Sequence, residues 1–292
     1  MKYKKLLYSK NPMLKRFISN SSVIIGGCII LPIILLAALA PVIAPHSPNQ
    51  TFNGEYLVPP SKNHLFGTDT FGMDIFSRVL YAPRTDLMIA FFATLLGMIC
   101  GVPLGLYVGF YENSKGIAGI FSLITMRIMD VIQAFPVFIL GLAIVTATGQ
   151  QISNVIYVLA FLWIPVFTRL IRTEVLSIRE NLFIEQAKAI GNTDSKILFK
   201  HVLPNAVSPA ITQVSVCIAA SILLTAGLSF VGAGVRMPIP ELGLMISVGA
   251  KNMITGQWWP SVFPGIILCV TIFGLSMLGE GISETLDPRN WR

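Results

Sequence analysis

Val23-Ile-Ile-Gly-Gly-Cys-Ile-Ile-Leu-Pro-Ile-Ile-Leu-Leu-Ala-Ala-Leu-Ala-Pro-Val-Ile-Ala44 contains no charged side chain. At a rise of about 1.5 Å per residue, such a run reaches across the ~30 Å hydrocarbon core of a bilayer. It is too long for a signal-peptide core. No small-residue cleavage site separates it from the polar sequence that follows, so it reads as an uncleaved anchor behind a basic tail, residues 1–22. Apolar runs of similar character follow at residues 87–111, 119–146, 152–171, 209–231 and 262–282. The expected fold is an all-α membrane protein with six helices. One transmembrane domain covers residues 23–283, and a short tail, 284–292, follows it.

The composition fits that solvent. Hydrophobic residues make up 54% of the chain and charged residues 12%, where a soluble domain carries about a quarter charged residues. The mean hydropathy is +0.72. A formal net charge of +7 raises nucleic acid as a partner, but the basic residues lie between apolar runs and have no aromatic interleaving on a polar domain. Lipid is the expected partner, and nucleic acid is not. Cys28, Cys100, Cys217 and Cys269 each sit inside an apolar run without metal-ligand spacing, and read as small hydrophobes. Gly101, Pro103, Gly105 and Gly109 would break a soluble helix, whereas a membrane helix tolerates them where neighbours pack closely.

Basic loops stay cytoplasmic. Placing the N-terminus inside gathers Lys2, Lys4, Lys5, Lys10, Lys15, Arg16, Lys115, Arg169, Arg172, Arg179, Lys188, Lys196, Lys200, Arg289 and Arg292 on one side. Lys62, Arg78, Arg84, Arg236 and Lys251 fall outside. Both termini are therefore expected in the cytoplasm, with the chain in the inner membrane. Three long connections result: residues 46–86 and 232–261 outside, and 172–208 inside. Long loops in a compact bundle commonly bind or dock.

The inner connection carries Asn181-Leu-Phe-Ile-Glu-Gln-Ala-Lys-Ala-Ile-Gly191. Asn181 suits an N-cap and Gly191 a left-handed stop. A second helix is expected at once, capped by Thr193, with Asp194 at its positive end, Lys196, Lys200 and His201 further along, and Pro204 ending it. Two short helices meeting at a glycine make a compact knob.

Glu185-Gln186-Ala187, Gly191 and Leu203-Pro204 resemble the E-A-A, G, I-x-L-P cytoplasmic loop of ABC importer permeases. Gln186 stands for the usual first Ala, and His201 stands where many families have Ile. His64-Leu-Phe-Gly67-Thr68-Asp69, with Gly72, Asp74 and Ser77-Arg78, is similar to the H-x-L-G-T-D-x-x-G-R-D segment of the C-type dipeptide, oligopeptide and nickel permeases, with Met73 in place of Arg. Residues 228–234, then Pro238, Pro240, Glu241, Gly243 and Met245, resemble that group's S-F-L-G-x-G and P-x-P-E-W-G-x-M segment, with Leu242 for Trp. Trp259, Phe263-Pro264-Gly265, Gly279, Gly281 and Leu286-Asp287-Pro288-Arg289 complete the match.

The resemblance implies a type I ABC importer transmembrane domain. It further implies a heterodimer with a homologous second permease, two ABC ATPase subunits and an extracytoplasmic substrate-binding protein. Glu185, Ala187, Gly191, Leu203 and Pro204 would form the ATPase-coupling loop. Short peptides are the first expected substrate, and nickel or a metal chelate the next.

The remaining chemistry is sparse. No G-x-x-x-x-G-K-[ST] cradle occurs, so ATP is expected on partner subunits, with no cofactor or metal in this chain. His46, His64 and His201 divide between the two sides of the membrane. Arg127 and Asp130 stand at i,i+3 within the third run and are expected to neutralise each other inside the bundle, with a path-lining role as the alternative. Residues 67–80 suit a short amphipathic interfacial helix, and the acidic pair Asp69 and Asp74 lacks EF-hand spacing. Gln213, Ser221 and Thr225 are candidate pore-lining residues. A secondary transporter would want internal repeats and midplane ionisable groups, and no repeat is visible. A receptor or anchor would leave the glycine-hinged loop unexplained.

Overall fold

The computed structural model describes residue 17 and residues 19–286. Most of the basic tail and the motif residues Asp287-Pro288-Arg289 lie outside the described residues. In chain order the helices are α1 (Ser21–Ile43), α2 (Ile75–Phe110), α3 (Ile117–Ala134), α4 (Val137–Thr148), α5 (Ile152–Arg179) and α6 (Leu182–Ala189). Then come α7 (Asp194–Ile197), a π-turn (Leu198–Val202), α8 (Leu203–Ala206), α9 (Ser208–Phe230), α10 (Leu242–Ala250) and α11 (Trp259–Leu286). Among the described residues six helices, α1, α2, α3, α5, α9 and α11, are long and apolar enough to cross a membrane.

Four expectations change. The helix expected from residue 87 begins at Ile75, because Asp74 accepts a hydrogen bond from the Ser77 N–H through Oδ2 at 2.8 Å and caps it. No separate interfacial helix forms over residues 67–80. Instead, residues 67–74 fold into a tight loop in which Asp69 Oδ1 accepts from the N–H groups of Phe71 and Met73 at 2.8 and 2.9 Å. The third run divides into α3 and α4 at Phe135-Pro136, where Phe135 is extended and Pro136 leaves the helical region. The run expected to end at residue 171 continues helically to Arg179, so the inner connection begins inside α5.

Helices α2 and α5 lie against each other along a glycine stripe. A Cβ on Gly97 would meet Trp163 Cβ at 2.7 Å, on Gly101 Phe167 Cβ at 2.7 Å, on Gly105 the Thr168 carbonyl at 2.6 Å, and on Gly109 Val175 Cβ at 2.8 Å. Spaced every four residues, these glycines share one face, and the absent side chains let the two backbones approach. Of the cysteines, Cys217 is buried and the other three are exposed on the surface of the bundle; all four are free thiols.

Candidate functional site

The knob is built by short-range rules. After α6 the chain turns at Gly191, φ +84°. The Gly191 N–H donates to the Lys188 carbonyl at 2.9 Å and the Asn192 N–H to the Ala187 carbonyl at 3.2 Å. That pair of bonds is a Schellman stop, which a residue without Cβ occupies at least cost. Asn181 stands at the N-cap position of α6, yet its side chain turns back and donates to the carbonyls of Ser177 and Ile178 at 3.3 and 3.1 Å. Thr193 likewise begins α7 without a side-chain cap bond.

Pro204 does not end the second helix. The chain stays helical through the π-turn into α8, with the Leu203 N–H donating to the Leu198 carbonyl. A proline has no N–H and its ring crowds the carbonyl four residues back; the wider π-turn just before it gives that ring room, and the chain continues helically.

One face of the knob belongs to the core. Ile184, Ala187, Ile197, Leu198, Val202 and Ala206 pack with Leu106 and Phe110 of α2 and Ile171, Val175 and Ile178 of α5. Polar ties fix the joint: Arg172 forks onto Glu112 at 2.8 and 2.6 Å, and Arg179 Nη1 donates to the carbonyls of Gly109, Phe110 and Glu112 at 3.1 to 3.3 Å. The other face is bare. Glu185 and Gln186 are exposed there, with Leu182, Phe183, Phe199 and Ile190, the last of these 81% exposed. Of the loop residues marked out from the sequence, Ala187 is buried, Leu203 half-buried, and Glu185, Gly191 and Pro204 exposed.

At the opposite end of the bundle, polar groups are buried instead. His64 is 3% exposed; its Nδ1 lies 2.8 Å from Asp74 Oδ1 and its Nε2 2.8 Å from Glu55 Oε2. Burial pulls the imidazole down, but the two carboxylates together outweigh it and leave His64 above its ordinary value. Glu241 caps α10, accepting from the N–H groups of Gly243 and Leu244 at 2.9 and 2.6 Å, while Asp86 Oδ2 accepts from the Leu242 N–H at 3.3 Å. Burial pushes the Glu241 carboxyl up. Asp86 Oδ1 has no hydrogen-bond partner, and the Asp86 and Glu241 carboxyls share the same buried site at the start of α10.

Residues 101–292 match a family described as binding-protein-dependent transport system inner membrane component. The chain belongs to that family. Residues 12–60 also match the N-terminal transmembrane domain of oligopeptide transport permease C. The chain is 37% identical over 275 residues to the dipeptide transport system permease protein DppC of Alkalihalophilus pseudofirmus, covering 94% of this chain and 88% of the relative. It is 35% identical over 276 residues to the glutathione transport system permease protein GsiD of Pectobacterium atrosepticum, covering 94% and 89%. A structure of the MetNI methionine ABC transporter in inward facing conformations shares the fold, with a TM-score of 0.56 at 17% identity over 72% of this chain and 96% of that one. This protein is thus a multi-pass inner-membrane permease of an ABC importer with the type I fold.

For such a permease the candidate pore residues need revision. Ser221 and Thr225 are fully buried between helices: Ser221 Oγ accepts from Trp163 Nε1 at 2.8 Å, and Thr225 Oγ1 donates to the Ser221 carbonyl at 2.8 Å. Ser221 ties α9 to α5, Thr225 bonds back within α9, and neither is exposed. Gln213 alone of the three borders a cleft, of about 610 Å³, between α9 and α11. Arg127 and Asp130 are not buried in the bundle either. Arg127 is 74% exposed, 3.3 Å from Asp130, and Asp130 also takes Arg169 of α5 at 2.6 Å. The sequence reading missed Arg169, Glu112 and Asp86 as partners. Each pairs with a residue far along the chain, so no local spacing signals it.

Proposed function

We propose that this chain is one half of a permease pair that moves short peptides into the cell by alternating access, driven by separate ATPase subunits. The observation that carries this is the two-faced knob. Its inner side is continuous with the cores of α2 and α5, and its outer side offers bare apolar groups around Glu185. A partner docked on Leu182, Phe183, Ile190 and Phe199 would transmit its motion into the bundle through packed side chains and the arginine ties. The absence of a phosphate-binding cradle from the sequence assigns ATP to that partner.

Peptide as cargo is supported by relatives named for dipeptide and glutathione transport. The bias of the basic loops supports a cytoplasmic knob and cytoplasmic termini, with residues 44–74 outside, where a substrate-binding protein would deliver cargo. The second permease covers the face bearing Arg127, Asp130 and Arg169, since charged side chains at membrane depth face protein or a water-filled path. Reconstitution tests the reading. The permease pair with its ATPases and binding protein should take up a dipeptide on ATP hydrolysis, and this chain alone should bind no nucleotide. Uptake by this chain without ATPases would defeat it.

A further inference from the structure

The loop between α1 and α2 gathers His46, His64 and Asp74, whose ligating atoms all lie within 4.8 Å of one another. We propose that these three residues form a binding site for a divalent first-row transition-metal ion, which staples the outer loop to the start of α2. The donor set, two imidazoles and one carboxylate, is the kind that takes Zn²⁺, Co²⁺ or Ni²⁺, with a position left open for water.

The surroundings hold each ligand in place. Asp74 spends Oδ2 on the Ser77 N–H at 2.8 Å, which leaves Oδ1 facing His64 Nδ1. Ser77 also holds the other side, since its Oγ accepts from the His46 backbone N–H at 3.2 Å. On the far edge of the His64 ring, Nε2 meets Glu55 Oε2 at 2.8 Å. A carboxylate behind the distal nitrogen fixes the tautomer and raises the basicity of the ligating one, as in carboxylate–histidine–metal arrangements. His46 has no comparably strong bond to break: its Nε2 stands 3.4 Å from the Asn63 carbonyl. Its ring is kept in place edge-on to Phe52, with centroids 4.8 Å apart. The ion would take the place of the hydrogen bond between His64 Nδ1 and Asp74 Oδ1, and a proton held there would leave to solvent.

The bound ion would join three points of the chain: the segment just after α1, the middle of the loop, and the N-cap of α2. The test uses the full-length chain purified in detergent with a histidine-free tag, stripped with chelator and titrated with Co²⁺. We expect one equivalent to bind with visible ligand-field bands of nitrogen and oxygen coordination, displaced by Zn²⁺. His46→Gln should abolish the bands without lowering the unfolding temperature of the metal-free protein. Glu55→Gln, behind the ligand, should weaken binding about 10- to 100-fold. No saturable binding by the wild type, binding unchanged in His46→Gln, or the charge-transfer absorption of a cobalt thiolate would each overturn the site. His46 meets its surroundings mainly through ring packing, so that variant decides the matter even where changes at Asp74 prevent folding.

Discussion

At Gly191 a backbone φ of +84° and an empty space around the missing Cβ separate two causes that are often confounded. A side chain there would strike nothing, so any penalty is conformational, roughly 1–2 kcal/mol for a residue forced left-handed and more for a β-branched one. Gly191→Val should leave the bundle inserted while redirecting α7, and reduce ATP-driven uptake severalfold at normal membrane abundance. Normal uptake would remove the hinge from the coupling argument. Glu241 makes the contrasting case, because everything about it depends on contacts. Glu241→Ala removes the cap of α10 and leaves the Gly243 and Leu244 N–H groups without their acceptor, at a cost of about 2–4 kcal/mol. Glu241→Gln should lose less, since the amide oxygen still accepts from one N–H of α10 and only the other loses its acceptor. Thermal unfolding of the detergent-purified chain would rank the two. Gly191 was legible in the sequence because a helix stop is local. Asp86 was not, because a carboxyl at the edge of an apolar run gains its meaning only from the start of α10, brought to it by packing.

The same division holds for whole elements. The stripe of glycines on α2 announced a close helix contact, and α5 supplies it through Trp163, Phe167, Thr168 and Val175. What the sequence did not say was which helix would come. Gly101→Leu should drive a side chain into Phe167 and the Ile164 carbonyl, 2.7 and 2.8 Å from the built Cβ. Overpacking of this kind costs roughly 1–3 kcal/mol or more. Here the neighbours include backbone, so the upper part of that range is expected, seen as loss of a monodisperse peak after detergent extraction. Gly27, with nothing within 4 Å of its Cβ, is the matched control on α1 and should accept alanine. Pro204 shows where element-level reasoning failed. Proline ordinarily stops a helix, whereas the π-turn over Leu198–Val202 absorbs it and carries the chain on to Ala206. A π-turn costs hydrogen-bond regularity and has no residue signature, so hydropathy and capping rules pass over it.

For the whole molecule, the six spans were legible because lipid demands long apolar runs, while the partners of the exposed faces were not, because contacts between chains leave no periodicity. Orientation lies between these, since it rests on charge bias alone. The knob side carries Lys115, Arg169, Arg172, Arg179, Lys188, Lys196 and Lys200, and the opposite side carries Lys62, Arg78, Arg84, Arg236 and Lys251. The excess at the knob end predicts that it faces the cytoplasm. Single cysteines at Asn53, Lys251 and Ser195, all exposed, sample both ends in a background where Cys28, Cys100, Cys217 and Cys269 are replaced. In intact cells an impermeant maleimide should modify the cysteines at 53 and 251 and leave the one at 195 unmodified until the membrane is permeabilised. Labelling of 195 from outside, with protection of the other two, would invert the molecule. It would also remove the docking role of the knob, since ATP-driven subunits could not reach Leu182, Phe183 and Ile190 from the cytoplasm. Mixed labelling of 53 and 251 would mean instead that α2 to α10 do not traverse the bilayer as their apolar lengths require.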